Sequence, residues 1–314
     1  MIRHFFLLLI IFVNFLFLFF FKEKEILDGR TIIIEPGMKL GQISEILSDE
    51  DLIRNKNFFI IWAKLNLSEK KLKYGEYKFE GAYSINKILN KLKEGKSLDR
   101  KITIVEGTTK FDLLNNLNSL GDDFKLSMSD IPENIIANTY FYKFSDNPKI
   151  ILEKIVKKSS QISDRIWASR NIEISIQNIS EMFILASIIE KETSKKIEKP
   201  IISGVFYNRF KKNMKLQSDP TVVYAITNGK SKMDRKLLRR DLKIKSKYNT
   251  YVNKGLPPSP ICFPGIDSLY ATINPSNSDY LYFVSNFKDG GHIFSSTYKQ
   301  HLQNIKKVQK LRKK

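Results

Sequence analysis

The chain has 314 residues, 42% of them apolar and 12% aromatic, which is enough for two folded domains and too apolar for an intrinsically disordered protein. Its formal net charge is +20, but the lysines are spread along the whole chain. They therefore favour solvated faces over a nucleic-acid-binding surface, and we expect no nucleic-acid partner. The single cysteine, Cys262, excludes an intramolecular disulfide. One cysteine and three histidines cannot build a zinc site of the usual kinds, so we expect neither a metal nor a cofactor.

The N-terminus carries a long apolar run. Phe5–Phe21 comprises 17 residues, of which only Asn14 is polar, and about 17 to 25 residues span a bilayer as a helix. Charged residues follow the run, rather than the small residues of a cleavage site, so we predict an uncleaved signal anchor over residues 1–25. The flanking positive charges do not decide its orientation. The short segment before the run and the long body after it favour a single-pass anchor with the body outside.

Residues 26–120 contain a weak internal repeat. Ile32–Leu47 and Ile102–Leu117 align with each other, and each reads as a short strand, a glycine-bearing turn and an amphipathic helix. Between the two copies, the apolar spacing predicts helices at Asn57–Leu65 and Ile85–Leu92 and a strand at Tyr74–Phe79. Two copies are too few for a solenoid, so we predict a small α+β module.

The rest of the chain, residues 121–314, mixes helices with turn-rich segments. The region from Gly121 to Asn147 reads as a loop, and helices are predicted at Lys149–Ala168 and, strongly apolar, from Ser175 onward. Short strands at Leu281–Ser285 and His292–Ser295 precede a basic helix at Thr297–Lys314. This pattern predicts a second, mixed α+β domain.

The apolar helix Glu181–Thr193 becomes charged at Glu190 and Glu192. A carboxylate at the end of such a helix is partly desolvated if it faces a cleft, and its raised pKa would suit a general acid near neutral pH. Residues two apart point to roughly opposite sides of a helix, so only one of the two glutamates can face a given cleft. The alternative is an ordinary solvated helix end.

Two further segments carry polar groups that suit sugar recognition. Short side chains surround Pro220, and the same residues could equally cap a helix that begins there. A tyrosine- and amide-bearing loop lies before a rigid proline segment, and it could equally be an ordinary structured loop. The residues concerned are Gln217, Ser218, Asp219 and Thr221 in the first segment, and Tyr248, Asn249, Thr250 and Tyr251 in the second.

Together and in this order, these segments resemble the MltG (YceG-like) family of endolytic murein transglycosylases. The matching blocks are Ala186–Thr193, Ser203–Ile226, Tyr248–Gly265, Asn274–Asn286 and Gly290–His301. The resemblance covers nearly the whole chain and implies an α+β protein. Its parts would be an N-terminal membrane anchor (1–25), a LysM-like α+β module (26–120) and a mixed α+β catalytic domain (121–314).

By position, the resemblance implies that Glu192 is the catalytic residue, with Glu190 as the alternative register. Substrate-binding residues are expected at Gln217, Asp219, Thr221, Tyr248, Asn249, Tyr251 and His292, with no metal site. One departure lies in the segment before the catalytic domain, where Ala137 and Asn138 stand in place of the family's usual proline and aspartate.

The implied reaction is cleavage of the β-1,4 bond between N-acetylmuramic acid (MurNAc) and N-acetylglucosamine (GlcNAc) within glycan strands. It leaves 1,6-anhydro-MurNAc ends and would terminate strand elongation. The implied partners are peptidoglycan glycan strands, the cytoplasmic (inner) membrane with the catalytic domain on its periplasmic side, and peptidoglycan synthases. Two alternatives stay open: a muramidase-type hydrolase with Asp219 or Asp241 as second carboxylate, and a non-catalytic peptidoglycan-binding scaffold.

Overall fold

The computed structural model of the chain describes residues 2–121, 124–171, 173–286 and 289–312. Two compact units are present: Met1–Lys101 with Phe141–Asp146, and Ile102–Tyr140 with Asn147–Lys314. The first change of unit comes earlier than the expected boundary at residue 120, because the second copy of the repeat belongs to the second unit. The division into three domains stays a prediction.

The first unit begins with helix α1 (Ile2–Phe21), and its two long strands pair antiparallel. These are β1 (Lys24–Ile34) and β2 (Gly75–Tyr83), with a register shift between Ile26 and Arg30. Three helices complete the unit: α2 (Leu40–Asp49), α3 (Lys56–Leu65) and α4 (Ile85–Glu94). Both predicted helices and the predicted strand between the repeats are therefore confirmed.

The core of the first unit follows from the alternation of β2 and the apolar stripes of the helices. Tyr77 and Phe79 point inward from β2, and both are fully buried, as are Leu47 of α2, Phe59 of α3 and Leu89 of α4. Among the residues that the structure describes, no helix combines the length and the apolarity that crossing a membrane requires. The predicted single-pass anchor and the LysM-like character of this unit stay predictions.

The second unit contains most of the helices, and two of its strands form a small hairpin. Its elements, with the strand pair β3–β4 at its border, are β3 (Arg100–Thr103), α5 (Lys110–Asn118), β4 (Thr139–Tyr142), α6 (Pro148–Ala168), α7 (Ile179–Glu192), α8 (Lys199–Lys211), α9 (Asp219–Thr227), α10 (Ile266–Ile273), β5 (Tyr282–Ser285), β6 (His292–Ser295) and α11 (Tyr298–Arg312). β5 and β6 pair antiparallel. The last two residues of the predicted C-terminal helix, 313 and 314, lie outside the described residues.

The repeat predicted from the sequence is a repeat of local structure. Gly37 and Gly107 both occupy the turn before a helix with positive φ, +87° and +81°, a conformation that glycine adopts without steric cost. In each copy the apolar residue near the end of the helix, Leu47 or Leu117, is fully buried. The two copies belong to different units, however.

Helix α7 is the centre of the second unit. Every residue from Met182 to Ile189 is buried, which explains why its sequence is apolar on all sides rather than on one stripe. Helix α8 packs beside it and is also largely buried. The buried stretch of α7 ends at Ile189, and the last residue of the helix, Glu192, reaches a cleft.

The segment that departs from the family pattern is well ordered by hydrogen bonds. The Ala137 N–H donates to the Pro264 carbonyl at 2.9 Å, and the Asn138 carbonyl accepts from the Ile104 N–H at 2.9 Å. A proline at position 137 would lack the first of these donors. Alanine therefore adds a backbone hydrogen bond at this position.

Candidate active site

A cleft of about 450 Å³ lies at the C-terminal end of α7, wholly within the second unit. One side is lined by polar groups from α7, α8 and the start of α9, and the other by the β5–β6 hairpin and α11. The lining residues are Glu192, Arg209, Leu216, Gln217, Asp219, Tyr251, Tyr282, Phe283, Val284, Ser285, His292, Tyr298 and His301.

Glu192 presents the carboxylate of this cleft. Burial at the end of α7 raises its pKa from 4.5 to about 7. The Ser218 hydrogen bond and the Arg209 charge act in the opposite direction, whereas the Asp219 charge adds to the rise. Because desolvation exceeds the stabilising contacts, the group carries its proton about half the time near neutral pH.

Ser218 is the direct partner of Glu192: its Oγ–H donates to Glu192 Oε1. Ser218 precedes α9 as the N-cap residue, yet its side chain makes no capping bond. Its N–H donates to Thr250 Oγ1 at 3.0 Å, and its carbonyl accepts from Thr221 Oγ1 at 2.7 Å. The hydroxyls of Thr221 and Thr250 are themselves 2.8 Å apart. The serine is therefore fixed by a buried hydrogen-bond network behind the cleft.

Gln217 and Asp219 flank this serine and are exposed in the cleft. The backbone of Gln217 has φ +50°, the left-handed region that non-glycine residues seldom adopt, which marks a locally strained turn. Asp219 Oδ1 accepts a hydrogen bond from the Tyr251 hydroxyl at 2.6 Å. Burial, with the neighbouring Asp219 carboxylate, raises the pKa of Tyr251 well above its ordinary value. Tyr251 therefore stays a donor and holds Asp219 in place.

Arg209 places a buried cation in the cleft, and the sequence motifs did not predict it. Its side chain reaches from α8 and is only 7% exposed. Its Nε donates to the Leu281 carbonyl and its Nη1 to the Leu216 carbonyl, both at 2.7 Å. Its guanidinium also lies 5.4 Å from the ring centre of Tyr282. Because backbone carbonyls hold it, its charge acts on the cleft at a fixed position.

His292 lines the cleft from β6 and is oriented by a buried carboxylate. Glu198 Oε2 lies 2.8 Å from His292 Nδ1 and accepts from Thr193 Oγ1 at 3.1 Å, and Glu198 Oε1 accepts the His292 N–H at 2.9 Å. Burial acts to raise the pKa of Glu198, but the hydrogen bonds from His292 outweigh it and the pKa is lowered. An ionised Glu198 requires the proton on Nδ1, which leaves Nε2 of a neutral ring as an acceptor.

Gly291 allows the Glu198 carboxylate to lie this close to His292. A Cβ at that position would lie 2.7 Å from Glu198 Oε1, closer than side-chain carbons pack. Thr193 directly follows Glu192, so Glu198 links the end of α7 to the hairpin strand that carries His292.

Five of the eight predicted site residues line the cleft: Glu192, Gln217, Asp219, Tyr251 and His292. The other three do not line it. Thr221 is fully buried beneath Ser218, and Asn249 is fully buried as the organiser of its loop, donating to the carbonyls of Leu242 and Ile244 at 3.1 and 2.9 Å. Tyr248 bonds Ser259 at 2.7 Å. Thr221 and Asn249 therefore hold the segments that carry Ser218 and Tyr251.

The two other carboxylates considered from the sequence lie outside the cleft lining. Glu190 forms a buried ion pair with Lys199 at 2.8 Å and also accepts from the Gly265 N–H at 2.9 Å. Asp241 is held by both guanidinium nitrogens of Arg235 at 2.6 and 3.1 Å, and this contact lowers its pKa to about 2. Neither group is available to a substrate beside Glu192.

Known proteins are similar to this chain in sequence and in fold. A model of the YceG-like family matches residues 32–307. An endolytic murein transglycosylase of Bacillus subtilis is 31% identical over 311 residues, which cover 89% of this chain and 84% of that protein. An endolytic murein transglycosylase of Streptococcus pneumoniae is 26% identical, and the match covers 88% of this chain but 57% of that longer protein. A crystal structure of a YceG-like protein from Listeria monocytogenes has a TM-score of 0.51 at 28% identity, covering 88% of this chain and 98% of that one. The similarity extends through both compact units.

Proposed function

Because the chain belongs to the YceG-like family, we propose that it is an endolytic peptidoglycan lytic transglycosylase, a lyase that cleaves the MurNAc–GlcNAc β-1,4 bond within glycan strands. The observation that carries the proposal is a single carboxylate, Glu192, whose pKa is raised to about 7 by burial in a cleft large enough for sugar rings. Its curated relatives in Bacillus and Streptococcus are named for this activity.

One carboxylate suffices for this reaction. Protonated Glu192 gives its proton to the glycosidic oxygen as the bond to the MurNAc anomeric carbon breaks. The C6 hydroxyl of the same MurNAc then attacks that carbon, and the Glu192 carboxylate accepts the hydroxyl proton. Attack within one sugar gains a high effective concentration, so no second carboxylate is needed to activate a water. A pKa near neutrality suits both proton transfers.

The surrounding groups have separate roles in this mechanism. The Ser218 hydroxyl stabilises the ionised form of Glu192 after its first proton transfer. Gln217, Asp219 and Tyr251 offer hydrogen bonds to sugar hydroxyls and acetamido groups along the polar side of the cleft. Opposite them, aromatic side chains such as Tyr298 line the cleft, and sugar rings pack on aromatic rings.

The hydrolase alternative needs a second carboxylate beside the scissile bond. Asp241 is engaged by Arg235 away from the cleft, so only Asp219 could take this role, and its Oδ1 already accepts from Tyr251. The transglycosylase mechanism requires one carboxylate, whereas the hydrolase mechanism requires two. The position of Asp219 nonetheless makes the chemical nature of the products the decisive measurement.

The test is mass spectrometry of fragments released from purified peptidoglycan by the full chain in detergent, beside Glu192→Gln. Internal fragments with 1,6-anhydro ends, absent with the variant, are the expected result. Reducing ends would identify a hydrolase instead. Binding of glycan without any cleavage by the wild-type protein would identify a scaffold.

We also propose that Phe5–Phe21 anchors the protein in the cytoplasmic membrane with the cleft on its outer side, where nascent strands and their synthases lie. The apolar composition of this run supports the proposal. We further propose that the first compact unit is LysM-like. Fractionation of cells and protease accessibility of a C-terminal tag test the first proposal. Loss of the tagged protein from the membrane fraction would contradict it.

A further inference from the structure

A second cavity of about 460 Å³ lies next to the catalytic cleft. Residues spaced by three and four along α9 form one of its walls: Pro220, Val223, Tyr224 and Thr227. Asp219, at the start of the same helix, lines both the cleft and the second cavity. A molecule bound at Glu192 can therefore extend past Asp219 into the second cavity without leaving the protein surface.

The chemistry of the second cavity differs from that of the cleft. The α9 wall is apolar at Val223 and at the ring of Tyr224, and Ile261 adds a third apolar side chain to the lining. At its rim stand Lys191 and Lys232, both exposed. Within the described ranges, neither lysine forms an ion pair.

The two aspartates that line the second cavity, by contrast, already accept hydrogen bonds from neighbouring residues. Asp112 accepts from the N–H and hydroxyl of Thr109 at 3.1 and 2.8 Å, in the capping box of α5. Asp219 accepts from Tyr251. The two lysines are the cations that an anionic group of a ligand in this cavity would meet.

The substrate carries such a group. Each MurNAc bears a lactyl ether on the ring carbon two positions from the anomeric carbon, and a peptide stem begins there with an alanine and continues with a residue that bears a free carboxyl group. We propose that the second cavity binds the peptide stem of the MurNAc that Glu192 attacks. Methyl groups of the stem pack on Val223 and Tyr224, and its carboxylate lies next to Lys191 and Lys232. The inference rests on the proposed transglycosylase function.

Two substrates with the same glycan test the proposal: strands that carry their peptides, and the same strands after the peptides have been removed by an amidase. We expect a several-fold higher kcat/KM on the peptide-bearing strands. Lys232→Glu should lower that value about fivefold, the effect of a contact of about 1 kcal/mol, and leave the stripped strands unaffected. Lys236→Glu is the matched control, because Lys236 is an exposed lysine of the same loop that does not line the cavity.

Val223→Thr tests the apolar part of the α9 wall with a side chain of nearly the same shape, and it should lower kcat/KM on peptide-bearing strands only. Equal rates of wild type on both substrates would overturn the proposal. So would an equal loss on both substrates with Lys232→Glu, since the cavity would then hold sugar.

A binding experiment separates this proposal from the proposed function. The probe is N-acetylmuramyl-L-alanyl-D-glutamate, which keeps the free carboxyl group of the second stem residue, added to Glu192→Gln protein labelled at methionine methyl groups. Met233 lines the second cavity. We expect its methyl resonance to shift when position 232 carries the wild-type lysine, and to shift less when Lys232→Glu is combined with Glu192→Gln. A shift of Met233 in the variant, together with a wild-type protein that cleaves no glycan, would support the peptide site and reject the proposed enzyme. No shift, in a protein that cleaves glycan, would reject the peptide site alone.

Discussion

Ser218→Ala gives the sharpest test of how the reactive carboxylate is tuned. The wild-type hydroxyl donates to Glu192 and so favours its ionised form. A hydrogen bond to a charged group contributes about 1.5–3 kcal/mol, and one pKa unit corresponds to about 1.4 kcal/mol. Its loss should therefore raise the pKa of Glu192 from about 7 by about 1 to 2 units.

The assay is the pH dependence of kcat/KM on peptidoglycan strands. The first step needs protonated Glu192, so the alkaline limb of the profile should move to higher pH by the same amount, while the maximal rate falls because the ionised form is less stabilised. Ser203→Ala is the matched control: Ser203 is a fully buried serine of α8 whose hydroxyl has no hydrogen-bond partner in the described chain. An alkaline limb that stays in place, or that moves to lower pH, would refute the reasoning.

Three further results are expected. Because burial raises the folded-state pKa of Glu192 from 4.5 to about 7, its ionisation destabilises the fold increasingly as pH rises through this window. Glu192→Gln should thus be more stable than wild type above pH 7 by up to about 3 kcal/mol, with no gain at pH 4 in urea unfolding. Lys199→Met should cost about 3–5 kcal/mol of unfolding free energy by leaving Glu190 buried without its cation, and the double variant with Glu190→Gln should recover part of it. Glu198→Gln should lower kcat/KM about tenfold and change the His292 tautomer seen by nitrogen NMR; an unchanged tautomer would deny Glu198 its orienting role.

Segments with a clear period could be predicted, and those without one could not. The apolar spacing predicts α3, α4 and α6 close to their observed bounds, because each buries one stripe against a core. Helix α8 was missed because it is buried on several sides and carries buried polar groups such as Lys199 and Arg209, which hide any stripe. Helix α10 was missed because it has only 8 residues and follows a proline- and glycine-bearing turn.

Some residues of the candidate site could likewise be predicted from the sequence, and others could not. The end of the apolar run of α7 leaves Glu190 and Glu192 as candidates, and the resemblance to the family selects Glu192. Arg209 and Glu198 could not be predicted, because their roles depend on contacts with residues far along the chain, Leu281 and His292. Asn249 and Tyr248 are residue types that suit sugar binding, which is why the sequence predicts them in the site. Their side chains instead form hydrogen bonds within their own loop.

The start of α9 departs from the usual helix rule, and the departure points to Glu192. A serine at the N-cap ordinarily accepts a hydrogen bond from a backbone N–H of the first turn, and losing that bond costs about 1 kcal/mol. Ser218 forgoes it and donates to the Glu192 carboxylate instead, an interaction of about 1.5–3 kcal/mol. Without this donor and the fixed charge of Arg209, burial alone would keep Glu192 protonated and able to act only as an acid. A residue that must first give and then take a proton needs both forms near neutral pH, so the missing cap supports the proposed role of Glu192.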